Sequence, residues 1–279
     1  MSQPTRCSDL SLRDSGLDPG GLERLVAVAR EAASAGAEQL MQHLGHLERI
    51  REKGRAGDLV TEADEAAEAA VLAVLHRHTP EFGVLAEESG WKQGESDLAW
   101  CVDPLDGTTN FAHGFPFFAT SIGLTWQGRP LLGALAVPAL QQHFWAAPGL
   151  GAWCNDQPIQ VSDCQELGSS LLVTGFAYDR HTRLDNNYAE FAYFTHRTRG
   201  VRRPGAAAVD LAFVAAGVVL VEQAGGLVCA YDGGPIDLAE GRLIACAPGL
   251  QEALIAGLAA CSPLTGASYG APELDLDGP

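Results

Sequence analysis

The stretch "WCVDPLDGTTNFAHG" occupies residues 100–114. An apolar run leads into two aspartates, Asp103 and Asp106, set three apart around Pro104. Acids at the end of a buried strand are costly unless something compensates them. The Gly107-Thr108-Thr109-Asn110 turn that follows can start a helix, and the first N–H groups of a helix have no partner within it. Such groups bind phosphate. The stretch therefore reads as a strand-to-helix corner that joins cation-holding acids to an anion cradle.

Working outward, "GVLAEES" (83–89) and "LAWCVD" (98–103) are short apolar runs that end in acids, and they read as buried strands. Taken alone, Glu87 and Glu88 are a solvated pair at a strand end. If both strands stop on one edge of a sheet, however, Glu87 joins Asp103 and Asp106 there. Three carboxylates within a few ångströms repel one another unless a cation sits between them. An all-oxygen ligand set points to Mg²⁺ or a similar hard ion and not to zinc, and the Leu105 carbonyl fits such a site. Upstream, "DLVTEAD" (58–64) offers Asp64. By itself it reads as the N3 acid of a capping box with Thr61 as N-cap. Beside acids that hold a metal and a turn that holds phosphate, Asp64 and Thr108 gain a second reading. They could orient a water that attacks phosphorus, or take its proton.

The rest of the chain supplies a frame. Residues 18–42 have Asp18 as a candidate N-cap, Pro19 behind it and Ala-rich helical spacing. A second helix is expected over 61–78. Residues 51–60 read as a charged loop broken by glycine. "FFATSIGLTW" (117–126), "PLLGALAVP" (130–138), "QQHFWAA" (141–147) and "GAWCNDQPIQV" (151–161) alternate with turn signals and predict an antiparallel meander. Further strands are expected near 171–174, at "LVCA" and at "RLIACA". Helices are expected near 186–194, from about 206, and after Pro248. Helices bracketing a mixed sheet argue for a layered α/β or α+β fold.

Bulk properties narrow the function. The 279 residues carry a formal charge of −17, which repels nucleic acid and anionic membranes, so neither is an expected partner. Apolar residues make up 47%, enough for a sizeable core. Seven scattered cysteines without CxxC spacing suit a reducing compartment. No secretory leader is visible at the N-terminus. The expectation is a cytoplasmic protein.

"DLVTEAD", "LAEES", "WCVDPLDGTTNFAHGFPFF" and "GAAAVDLAFVAAG" (205–217) together resemble the inositol monophosphatase family, in that order and across most of the chain. The resemblance implies a five-layer α-β-α-β-α sugar phosphatase fold with a mixed, largely antiparallel sheet. It implies a single catalytic domain over 17–262, with a metal and phosphate half to about residue 165 and a substrate half after it. A flexible tail is expected over 1–16 and a disordered acidic one over 263–279. By motif, Glu87, Asp103 and the Leu105 carbonyl would hold one Mg²⁺, and Asp103 with Asp106 a second. Gly107 and Thr108 would cradle phosphate, and Thr108 with Asp64 would activate the water. Lys53 matches a lysine of a mobile loop. Gly205, Ala206 and Ala207 match the helix start that meets the substrate, with Ala206 standing where the family has a hydroxyl. The implied reaction is hydrolysis of inositol phosphate or another small polyol phosphate by a homodimer.

One departure is expected to matter. The family pattern continues from its Ala-Ala-Gly helix through a strand to Trp-Asp-x-Ala-Ala-Gly. Here "DLAFVAAG" runs directly into "VVLVEQAGG" (218–226). The third aspartate of the second metal site then has no counterpart, and the fold is shortened near residue 217. Asp210 and Glu222 are the acids nearest the gap. The alternative to a working phosphatase is a shortened member that binds one metal, dimerises and turns over little. The fused segment reads as one apolar helix over 206–223 that exposes part of its apolar surface.

Overall fold

The structure is a computed structural model that describes residues 7–52, 59–176, 180, 186–214, 217–237 and 242–263. Along the chain run α1 (Cys7–Ser15), α2 (Pro19–His43), β1 (Ile50–Glu52), β2 (Leu59–Thr61), α3 (Glu62–His78), β3 (Gly83–Ala86), β4 (Gly90–Lys92) and β5 (Leu98–Asp106). Next come α4 (Thr108–Ala112), β6 (Ala119–Trp126), β7 (Arg129–Val137), β8 (Gln142–Ala147), β9 (Gly151–Cys154), β10 (Gln157–Pro158) and β11 (Leu171–Val173). The rest are α5 (Tyr188–Thr195), β12 (Gly200–Arg202), α6 (Ala207–Val214), α7 (Gly217–Gln223), β13 (Leu227–Ala230), β14 (Leu243–Cys246) and α8 (Gln251–Ala259). The fold is mixed α/β, as expected. Two compact units divide it. The first holds Met1–Asp163, Gly205–Val228 and Ala245–Pro248; the second holds Cys164–Pro204, Cys229–Ile244 and Gly249–Pro279.

The first unit is built on an eight-stranded sheet in the order β10-β9-β8-β7-β6-β5-β3-β4. Its β6 to β10 portion is the meander predicted from alternation. The neighbours β3 and β5 are parallel, with Ala86 opposite Val102. Alternate residues of β7 face opposite ways: Ala134 and Ala136 pack in a core with α2 and α3, while Leu135 and Val137 pack with α6 and α7. That is the period of two on a sheet covered on both faces. Asp18 caps α2, its carboxylate accepting the Gly21 N–H at 2.7 Å. Gly36 lets α2 approach the sheet closely; a Cβ there would lie 2.7 Å from the Thr120 side chain and 2.9 Å from Val71.

In the second unit β11 and β12 pair in parallel, Leu171 opposite Gly200. There α5 meets α8 at Gly257, where a Cβ would lie 2.7 Å from the Phe194 ring.

One expectation needs correction. Where a flexible tail was expected, Cys7–Ser15 form α1. Its anchor is remote in sequence: the Ser8 N–H and hydroxyl donate to the Glu222 carboxylate at 3.1 and 2.6 Å. Of the helix expected over 206–223, the described residues form α6 and α7, and 215 and 216 lie outside the description. In α7 Val219, Leu220 and Val221 are buried, whereas Phe213 of α6 is exposed and stacks on Phe117.

Candidate active site

In a regular strand, residues three apart point to opposite faces. Asp103 and Asp106 escape this because β5 is bulged between them. Asp103 pairs with Ser121 and Asp106 with Ala119, so three steps on β5 match two on β6. One extra residue restores the parity of the pair. Pro104, which has no N–H for the ladder, sits in the bulge, and its carbonyl accepts the buried Thr120 hydroxyl at 3.0 Å. This bulge is a functional feature that sequence reasoning missed, although a proline inside a strand-like run is its signal.

Glu87 follows the end of β3, and its N–H continues the ladder to the Val102 carbonyl at 3.0 Å. Parallel pairing of β3 with β5 puts the two C-terminal ends on one edge, as the sequence required. Glu87 and Asp103 meet there through a hydrogen bond between carboxyls. Burial pushes the Asp103 carboxyl well above the usual carboxylate range, and the nearby Asp106 and Glu87 charges add to it. The Leu105 N–H donates to Asp103 Oδ1 at 3.1 Å and opposes this rise.

Asp106 is differently placed. Its Oδ1 accepts the Ala207 N–H at 2.9 Å, and its Oδ2 accepts those of Ala208 and Val209 at 2.8 and 3.2 Å. Asp106 thus caps α6, an arrangement that a helix N-terminus favours. Burial still raises its carboxyl to about 6, with the three N–H groups working against the rise and the Glu87 charge adding to it. Gly205 precedes this helix in a left-handed conformation, φ +89.

Gly107 has φ +90, and a Cβ on it would lie 3.0 Å from both the Ala206 side chain and the Phe117 carbonyl. The position therefore requires glycine. As the N-cap of α4 it has no side chain, so the first N–H groups of that helix remain uncapped by the chain's own side chains. The Thr108 hydroxyl lies 3.0 Å from the Leu105 carbonyl and 3.2 Å from Asp64 Oδ1. Asp64 is fully buried. Its Oδ2 accepts the Thr61 N–H at 2.8 Å and the Thr61 hydroxyl at 2.7 Å, which completes the capping box. The two readings of Asp64 are therefore compatible: one oxygen caps α3 and the other faces Thr108.

Lys53 lies outside the described residues. The His113 ring nitrogen Nδ1 is 2.9 Å from the Thr109 carbonyl, within its own turn. Glu222 is engaged by Ser8 of α1, and Asp210 is buried within α6.

Four ordered motifs thus converge on one corner of the first unit, and the chain matches the inositol monophosphatase family over residues 21–219. It belongs to that family. The inositol-1-monophosphatase of Synechocystis sp. is 47% identical over 261 residues, covering 87% of this chain and 91% of that protein. Among solved structures, the inositol monophosphatase from Anabaena (Nostoc) sp. superposes with a TM-score of 0.79 at 44% identity, covering 87% of this chain and 98% of that one. The extragenic suppressor protein suhB from Bartonella henselae superposes with a TM-score of 0.78 at 32% identity, covering 85% and 99%.

The donor set of this inositol monophosphatase family member can be tested against a hard cation. Among the described residues, no three acid, histidine or cysteine side chains form a ready cage. Glu87 and Asp103, however, lie close enough that Glu87 raises the cost of a charge on Asp103, and a cation between them would relieve that cost. Carboxylate oxygens of this kind are the donors that an oxygen-seeking divalent ion takes. A second ion at Asp103 and Asp106 would have to compete with three N–H donors for Asp106.

Proposed function

We propose that this chain is a Mg²⁺-dependent phosphomonoesterase acting on inositol monophosphate or a related small polyol phosphate. The observation that carries the reading is the meeting of Glu87 and Asp103 at the corner where Thr108 bridges Asp64 and the uncapped start of α4. Mg²⁺ held by Glu87, Asp103 and the Leu105 carbonyl would neutralise charge on the phosphate and make a neighbouring water a better nucleophile. The chain's own groups do the rest. N–H groups at Gly107 and Thr108 hold the phosphate oxygens. The Thr108 hydroxyl accepts a proton from the attacking water as it passes its own to Asp64 Oδ1. The water oxygen bonds to phosphorus, the ester P–O bond breaks, and the leaving polyol oxygen takes a proton from solvent water, to which Asp64 afterwards releases the one it received. Gly205, Ala206 and Ala207 stand beside Asp106, where the polyol would lie. A homodimer, carried by the resemblance alone, and a cytoplasmic location, carried by the scattered cysteines, belong to the same reading.

The test is phosphate release from inositol 1-phosphate with and without Mg²⁺, beside Asp103→Asn. Mg²⁺-dependent release, lowered at least about 100-fold by the substitution, is expected, since the ion stabilises several kcal/mol of transition-state charge. Equal release from wild type and variant would contradict the reading.

A second reading is a one-metal member with little turnover. One observation favours it: the Asp106 oxygens are already committed to α6. Binding of one Mg²⁺ with negligible phosphate release would select it.

A further inference from the structure

Glu68 lies one turn beyond Asp64 on α3 and is 5% exposed, on a face otherwise made by Ala63, Ala67, Val71 and Leu75. A buried carboxylate contributes little to stability by itself, and an apolar side chain of similar size is often as good or better there. Its position calls for another explanation. Glu68 Oε2 accepts the backbone N–H of Glu88 at 2.9 Å. Glu88 directly follows Glu87, whose own N–H is held by the Val102 carbonyl at 3.0 Å. The two peptide N–H groups that bracket Glu87 are thus both tied, one to β5 and one to Glu68. These bonds restrict φ and ψ of Glu87 and so aim its side chain.

We propose that Glu68 is a positioning residue for Glu87. It holds the Glu87–Glu88 peptide so that the Glu87 carboxyl faces Asp103, and it acts as a hydrogen-bond acceptor. The proposal rests on the reading of Glu87 as a cation ligand. Residues four apart share one face of a helix. Asp64 and Glu68 therefore let a single helix face set both corners of the site, Asp64 through Thr108 and Glu68 through the turn after β3.

Two neutral substitutions separate this role from bulk and from charge. Glu68→Gln keeps an acceptor oxygen; Glu68→Met keeps the size and offers none. Mg²⁺ is titrated calorimetrically into the full-length wild type and both variants. Melting temperature and hydrogen exchange at the Glu88 amide are measured on the same samples without metal. The Met variant is expected to bind Mg²⁺ at least about 10-fold more weakly than the Gln variant, as loss of a supporting hydrogen bond does elsewhere. Its Glu88 amide exchanges faster, while its melting temperature falls by no more than the loss of one part-buried hydrogen bond explains. Equal affinity of the two variants would show that only charge matters and would overturn the proposal, as would a Met variant that binds like wild type. A wild type that takes up no Mg²⁺ would instead remove the reading of the site, and this role with it.

Discussion

Asp103 and Asp106 share a chemistry and differ in surroundings. Burial raises both carboxyls; three N–H donors restrain Asp106 at about 6, whereas at Asp103 the acidic neighbours add to the rise. Each therefore holds its proton more tightly in the folded chain than in the unfolded one. Without metal, the stability linked to them is complete below about pH 4 and is lost as pH rises, through about 6 for Asp106. For Asp106 the loss is roughly 3 kcal/mol. In EDTA, Asp103→Asn is accordingly expected to melt above wild type at pH 8, with the gap closing toward pH 4. Saturating Mg²⁺ should reverse the order at pH 8, because only the wild type gains binding energy. Thermal melts across pH check both statements. At Thr108, Val removes the hydroxyl that faces Asp64 while keeping the shape. It is expected to lower kcat by about 10²- to 10⁴-fold with KM little changed, and Thr108→Ser should recover most of the rate.

Elements show which parts of this site local sequence can announce. The capping residues Asp18 and Thr61, the alternation in β6 to β9 and the acids ending β3 and β5 are local signals, and the structure contains each of them. What local reading missed depends on partners far away in the chain. The α1 helix is tied down where Glu222 receives Ser8, more than two hundred residues away. The bulge in β5 is defined only against β6, and Glu68 finds its partner across the turn after β3. Glu222→Leu leaves the Ser8 N–H and hydroxyl without their buried acceptor. It should cost about 1–3 kcal/mol and lower the melting temperature while leaving phosphate release unchanged below the melt. At the α2 crossing, Gly36→Ala puts a methyl against Thr120 and Val71 and should cost about 1–3 kcal/mol by overpacking.

At the scale of the whole molecule, every described site residue, from Asp64 through Thr108 to Gly205, Ala206 and Ala207, belongs to the first unit. The chain leaves that unit after Asp163 and returns at Gly205, in time for α6 to receive Asp106. A net charge of −17 would repel a phosphate ester at long range. Capture then depends on the helix start at Gly107 and on a cation held by the acids. That dependence is tested most directly by anomalous diffraction from crystals soaked in Mn²⁺, a redox-quiet stand-in for Mg²⁺ with the same taste for oxygen ligands. The account predicts a strong peak bounded by the carboxyls of Glu87 and Asp103 and the carbonyl of Leu105. A soaked crystal with no peak between those groups would contradict it.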